Sequence, residues 1–150
     1  MSSLLRATFI TLALLSAAGC TSKPVLNPHS ELPAGTQVSE EKMKQVIVNA
    51  LQKREWTVQR LSPQLVQAEI TVRGQYHAEI DIRYTRSSYA ITYRDSRELG
   101  YKDGKIHRNY NRWVNNLDND IKAGLRSNGV SGEAGSAAQL FEQTGTSKQN

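Results

Sequence analysis

From Val66 to Tyr93 apolar and polar positions alternate with a period of two. Val66, Ala68, Ile70 and Val72 are interleaved with Gln67, Glu69, Thr71 and Arg73. Tyr76, Ala78, Ile80, Ile82 and Tyr84 are interleaved with His77, Glu79, Asp81 and Arg83, and Tyr89, Ile91 and Tyr93 follow. Successive side chains of a strand point to opposite faces, so this pattern predicts antiparallel strands that share one apolar face. Trp56 and Val58 open an earlier strand that ends at the turn Ser62-Pro63, which brings the expected sheet to three or four strands. Parity then constrains the register, because directly opposed residues must point to the same face. A two-residue turn at Gly74-Gln75 would set inward Val72 against outward His77, so that hairpin needs a loop of odd length. The next one closes cleanly with Tyr84 against Tyr89, Ile82 against Ile91, Ile80 against Tyr93 and Glu79 against Arg94.

On either side of this block the period becomes helical. Met43, Val46, Ile47, Ala50 and Leu51 recur at helix spacing behind Ser39, a good N-cap, with Glu40 and Glu41 in the first turn and Val38 placed for a staple against Met43. A helix is expected from about Glu40 to Lys53. Tyr110, Trp113, Val114, Leu117, Ile121 and Leu125 form a second stripe from about Asn109, with Gly129 as its stop and Trp113 as a core anchor. Arg97 to Arg108, with Gly100 and Gly104, reads as the loop between the last strand and this helix. The expected fold is α+β: an antiparallel sheet of three to four strands, flanked in sequence by two helices packed on its apolar face, in the order α-β-β-β-β-α.

The flanks lack these periods. Thr21 to Gln37 carries Pro24, Pro28, Pro33 and Gly35, and residues 20–37 read as an extended tether. Gly129 to Asn150 is rich in Gly, Ser, Ala, Gln and Thr and reads as a disordered tail, with Leu140 and Phe141 as the exception that would suit a short docking helix. Residues 38–128 are left as one domain. At the start, Arg6 is followed by an uncharged run from Ala7 to Gly19 that is too short to span a membrane and ends in small residues before Cys20; this is the pattern of a secretory signal over residues 1–19. Cys20 is the only cysteine, which excludes an internal disulfide. The net charge of +5 is spread along the chain rather than gathered in a block. In an exported protein it points to lipid phosphates and cell wall rather than nucleic acid.

Candidate chemistry is sparse. Asp95, Ser96 and His107 flank one loop in the manner of a hydrolase triad, but no Gly-x-Ser-x-Gly turn presents the serine. His77, Glu79 and Asp81 share a strand face with Glu69 nearby; Arg73, Arg83 and Arg94 are placed to neutralise them, and metal-ligand spacing such as His-x-x-x-His is absent, so no metal or cofactor is expected. The second helix is crowded with Asn109, Asn111, Asn115, Asn116 and Asn119, poor helix formers that need an offset: either one N-cap plus solvated side chains, or hydrogen bonds from Asn111 and Asn115 or Asn116 to the loop before the helix or to an outside partner. A recognition site, if present, is expected at the join of last strand and second helix: Asp95, His107, Arg108, Tyr110, Asn111 and Arg112. The alternative there is a loop that caps itself, with His107, Asp95 and Asn111 bonded to one another.

Ala17-Ala18-Gly19-Cys20 resembles the lipobox of bacterial lipoproteins, with Ala17 where that family most often has Leu. The resemblance implies lipidation of Cys20, removal of residues 1–19 and acylation of the new N-terminus. Thr21 in place of Asp implies sorting to the outer membrane, with the domain facing the periplasm. Tyr93 to Ser96, Leu99 and the stretch Ile106-His107-Arg108-Asn109-Tyr110-Asn111-Arg112-Trp113-Val114-Asn115-Asn116-Leu117 resemble a group of small proteobacterial outer-membrane lipoproteins without an established activity. The expectation is a non-enzymatic binding or adaptor module, anchored in the membrane through Cys20, for an envelope protein or cell-wall component. A small periplasmic hydrolase using Asp95, Ser96 and His107 is the alternative. Oligomeric state is left open.

Overall fold

The computed structural model describes residues 21–142, with side chains through residue 127. The expected signal segment and Cys20 lie outside the described residues, as do the end of the expected tail beyond 142 and the side chains of Leu140 and Phe141. The elements in chain order are β1 (Ser22–Pro24), β2 (His29–Glu31), α1 (Glu40–Lys53), β3 (Thr57–Ser62), β4 (Leu65–Val72), β5 (Tyr76–Tyr84), β6 (Ser88–Arg97), β7 (Lys105–His107) and α2 (Arg108–Glu142). The class is α+β with an antiparallel sheet, as the alternation requires.

Strands β3 to β6 form a meander. Val72 pairs with Tyr76 across a loop of odd length, in which Arg73 and Gly74 both take positive φ. Tyr84 faces Tyr89, Ile82 faces Ile91 and Ile80 faces Tyr93. One pair differs from expectation: Glu79 faces Asp95, not Arg94, because a bulge between Glu79 and Ile80 leaves Arg94 as the extra residue. Its side chain still reaches back, and the Arg94 guanidinium lies 2.9 Å from the Glu79 carboxylate.

The sheet has five strands in the order β2-β6-β5-β4-β3, and β1 pairs with β7 in a second, two-stranded sheet. Two expectations are thereby corrected. The supposed tether supplies both β1 and β2, and the supposed loop from Arg97 to Arg108 contains β7. Prolines suit edge strands because a missing N–H there breaks no interior ladder. Pro24 lies in edge strand β1, and Pro28 gives its carbonyl to the Ile91 N–H at 2.8 Å. Val25, Leu26 and Leu32 pack partly buried against the core. In the other segment Asp103 and Gly104 both have positive φ between Lys102 and Lys105, which exchange two backbone hydrogen bonds of 2.9 Å. That is the Asp-Gly chemistry of a tight hairpin turn.

Helix α1 starts as expected: Ser39 Oγ accepts the Lys42 N–H at 3.1 Å, and Met43, Val46, Ile47, Ala50 and Leu51 are buried. Both helices share one core with Val66, Ile80, Ile82 and Ile91 of the sheet. They approach closely at Gly124, where an added Cβ would stand 2.8 Å from Val46 Cγ1. Where they meet, Asp120 of α2 is bonded by Arg54 at 2.5 Å and by Lys53 at 3.1 Å, and this holds its carboxyl below the usual carboxylate range.

Helix α2 corrects two further expectations. It runs past Gly129 to Glu142 instead of stopping there. Trp113 is only half-buried, whereas Tyr110, Val114, Leu117, Ile121 and Leu125 are buried. At about 100° per residue Trp113 sits roughly 80° from the centre of that stripe, on its flank. Asp118 lies closer to the centre and is only 5% exposed.

Candidate functional site

At the join of β6, β7 and α2 the side chains of Asp95, His107 and Asn111 are engaged by backbone. Asp95 Oδ1 accepts the Ser96 N–H at 2.8 Å, and Ser96 Oγ lies 2.9 Å from the Tyr93 hydroxyl. His107 Nδ1 accepts the Asn109 N–H at 3.2 Å in the first turn of α2, which assigns the proton of the neutral ring to Nε2. No hydrogen bond joins His107 to Asp95 or Ser96, so the triad arrangement is not formed among the described residues. Nor do His107, Asp95 and Asn111 bond to one another.

Asn111 has a different task. Its Nδ2 donates to the Pro24 carbonyl at 2.8 Å and its Oδ1 accepts the Leu26 N–H at 3.0 Å. One asparagine near the start of a helix therefore holds both polar groups of the chain leaving β1, which offsets its poor helix propensity. Asn27 acts similarly on the sheet edge, where its Oδ1 accepts the Tyr93 N–H at 2.8 Å.

Tyr110 is fully buried. Its ring meets Tyr93 edge-on, with centroids 5.5 Å apart, and Tyr93 stacks on the exposed Tyr101 at 4.4 Å. Among the described residues the Tyr110 hydroxyl has no hydrogen-bond partner, and burial, followed by proximity to Tyr93, pushes its pKa well above the tyrosine range. Arg108 and Arg112 have exposed side chains; the Arg108 N–H donates to the Thr21 carbonyl at 2.8 Å.

The polar sheet face brings together the second group of candidates. Glu69 and Glu79 are directly opposed on β4 and β5. His77 Nε2 lies 3.2 Å from Glu79 and 3.9 Å from Glu69, while its Nδ1 is 2.9 Å from Thr71 Oγ1. Ligand atoms of Glu69, His77 and Glu79 lie within 4.8 Å of one another, close enough to share an ion. The carboxylates already have donors, however. Arg94, projected from the bulge, pairs with Glu79 and lies 3.7 Å from Asp81, and Gln59 donates to Glu69 while accepting from Arg94. A cation would have to displace these groups. Arg94 thus takes the neutralising role expected of three arginines; among the described residues Arg73 and Arg83 make no ion pair there. His77 is 5% exposed, although its place in the alternation set it on the solvent side.

A third arrangement was not singled out in the sequence. A cavity of about 530 Å³ lies between Ser30–Thr36 and α2, with Leu32, Pro33 and Leu125 as apolar wall and Lys122 and Arg126 beside it. Tyr89 lines it and donates its hydroxyl to buried Asp118 at 2.6 Å; Lys122 Nζ holds the other carboxylate oxygen at 2.7 Å. Burial, then the bond to Asp118, raises the Tyr89 pKa far enough to keep the hydroxyl a donor throughout the ordinary pH range. The available signal was Asp118 itself, a carboxylate among the buried positions of α2. Leu32 and Pro33 carried none, since that side of the cavity exists only once the N-terminal segment folds back. No family model and no curated protein matches the chain.

Proposed function

We propose that this chain is a lipid-anchored envelope protein, held in the outer membrane through Cys20, whose periplasmic domain binds an envelope protein or cell-wall component without catalysing a reaction. The observation that carries the reading is Ala17-Ala18-Gly19-Cys20 at the end of a short uncharged run, with Cys20 the only cysteine. Three acyl chains on that residue would make the attachment stable, since two already suffice. No described helix is long and apolar enough to cross a membrane.

Binding is supported by the cavity beside Tyr89. It combines apolar walls with a few fixed polar groups, the usual make-up of a site that selects a ligand by shape and orients it by hydrogen bonds. Lys122 is committed to Asp118, so Arg126, with Glu31 on the same lining, is the cation left to meet an anionic group of a ligand.

The test has two parts. Intact mass after expression in a bacterial envelope should show cleavage before Cys20 and acyl chains on it, and Cys20→Ser should abolish both; an uncleaved, unacylated wild-type chain would contradict the anchor. Crosslinking in intact cells should capture a partner from the parent and less of it from Arg126→Glu at unchanged melting temperature. Equal capture by both would move recognition away from the cavity.

A further inference from the structure

Reading Cys20 as an acylated anchor places a second demand on the chain that follows it. Thr21 is the next residue, and its carbonyl is already held by the Arg108 N–H at 2.8 Å. Ser22, Lys23 and Pro24 are paired with His107, Ile106 and Lys105. Beyond them the Val25 N–H donates to Gly104, and Asn111 fastens Pro24 and Leu26. The slack between lipid and domain is therefore about one residue, or roughly 3.5 Å of chain, rather than the few tens of ångströms a free tether would allow.

The surface around this attachment is cationic. Lys23, Lys102, Lys105, Arg108 and Arg112 are all exposed, against Asp103 and Glu98 on the same stretch. Strand β1 spans only about 10 Å, so the charges on β1, on its partner β7 and at the start of α2 lie within little more than a Debye length of one another. Among them stands Tyr101, 48% exposed and backed by Tyr93, an aromatic of the amphipathic kind that settles at membrane–water interfaces.

We infer that the β1/β7 end of the domain, with the start of α2, is seated on the bilayer that holds Cys20, its lysines and arginines against anionic phospholipid phosphates and Tyr101 at headgroup level. The inference rests on acylation of Cys20. It orients the domain: the β3–β4 turn at Pro63-Gln64 belongs to a different part of the surface and serves as the reference.

The experiment exploits the single native thiol. With Cys20 acylated, an introduced cysteine is the only labelling site, so Tyr101→Cys, Lys102→Cys and the exposed Leu61→Cys are each given a fluorophore in the full-length lipidated protein. Each is reconstituted in vesicles of phosphatidylethanolamine and phosphatidylglycerol carrying nitroxide headgroups. Quenching at 101 and 102 should exceed that at 61 several-fold, and the excess should fall at about 0.5 M salt, where the Debye length shrinks to a few ångströms, and in vesicles of phosphatidylcholine alone. Equal quenching at all three positions in an acylated protein overturns the seating and leaves the anchor standing. Excess quenching that ignores both salt and lipid charge overturns the role of the phosphates. An intact mass without acyl chains removes the anchor and this inference with it.

Discussion

Strands β5 and β2 both pair with β6, yet they hold it in different ways. β5 brings Ala78, Ile80, Ile82 and Tyr84 into the core and runs alongside β6 for most of its length. β2 pairs through His29, Ser30 and Glu31, none of them buried, and the segment around it is fastened by the Asn27 and Asn111 side chains and by partly buried Val25, Leu26 and Leu32. The first strand is held by area removed from water, the second mainly by hydrogen bonds whose net worth is about 1 kcal/mol each. The difference implies that the N-terminal segment opens at a lower free energy than the sheet it completes.

The largest effect should come from the meander. Ile82→Ala empties a fully buried position and should cost about 2–5 kcal/mol in denaturant unfolding, lowering protection of all strands together. Asn111→Ala should cost about 1–2 kcal/mol and do so locally. Hydrogen exchange at Val25 and Leu26 should rise several-fold while the β4–β5 amides keep theirs. Loss of protection throughout would mean that the two regions form one cooperative unit.

Asp120 calibrates both, because it ties α1 to α2 and touches neither strand edge. Its folded pKa is lowered by Arg54 first and Lys53 second, so its contribution is complete above the ordinary value of 3.8 and is lost as pH falls through the lower, folded value. Asp120→Asn should therefore be less stable than the parent at neutral pH and converge with it below pH 3.8. An unchanged gap across that window would show that the ion pairs do not supply it. The smallest effect should have the opposite sign. The Tyr110 hydroxyl is buried without a partner among the described residues, so Tyr110→Phe should leave stability unchanged or raise it by up to about 1 kcal/mol. Marked destabilisation would reveal a partner for that hydroxyl.

Legibility from sequence followed the same division. The meander, its odd loop, α1 and the stripe of α2 could be read because each buries a face, and burial leaves a period in the residues. β1, β2 and β7 left none: a three-residue edge strand is too short to alternate, and Pro24 and Pro28 suggest extension without saying what lies alongside. The missed signal was the dipeptide Asp-Gly at 103–104 for a tight turn; Asn111 stood out as an asparagine in need of partners, but nothing in the sequence pointed to Pro24 and Leu26 as those partners. The candidate site was less legible than the fold. The sequence could place Asp95, His107 and Asn111 near one join, but not show that backbone would engage them. The bulge that redirects Arg94 to Glu79 also depends on pairing that alternation alone does not reveal.

The most direct test of the account is hydrogen exchange, residue by residue, over Thr21 to Leu32 in the purified protein. Val25, Leu26 and Leu32 donate to Gly104, Asn111 and Ser87. Their amides should exchange much more slowly than in a free peptide, though faster than those of β4 and β5. Exchange at free-peptide rates would return the segment to a tether and remove the ground for the proposed seating on a membrane.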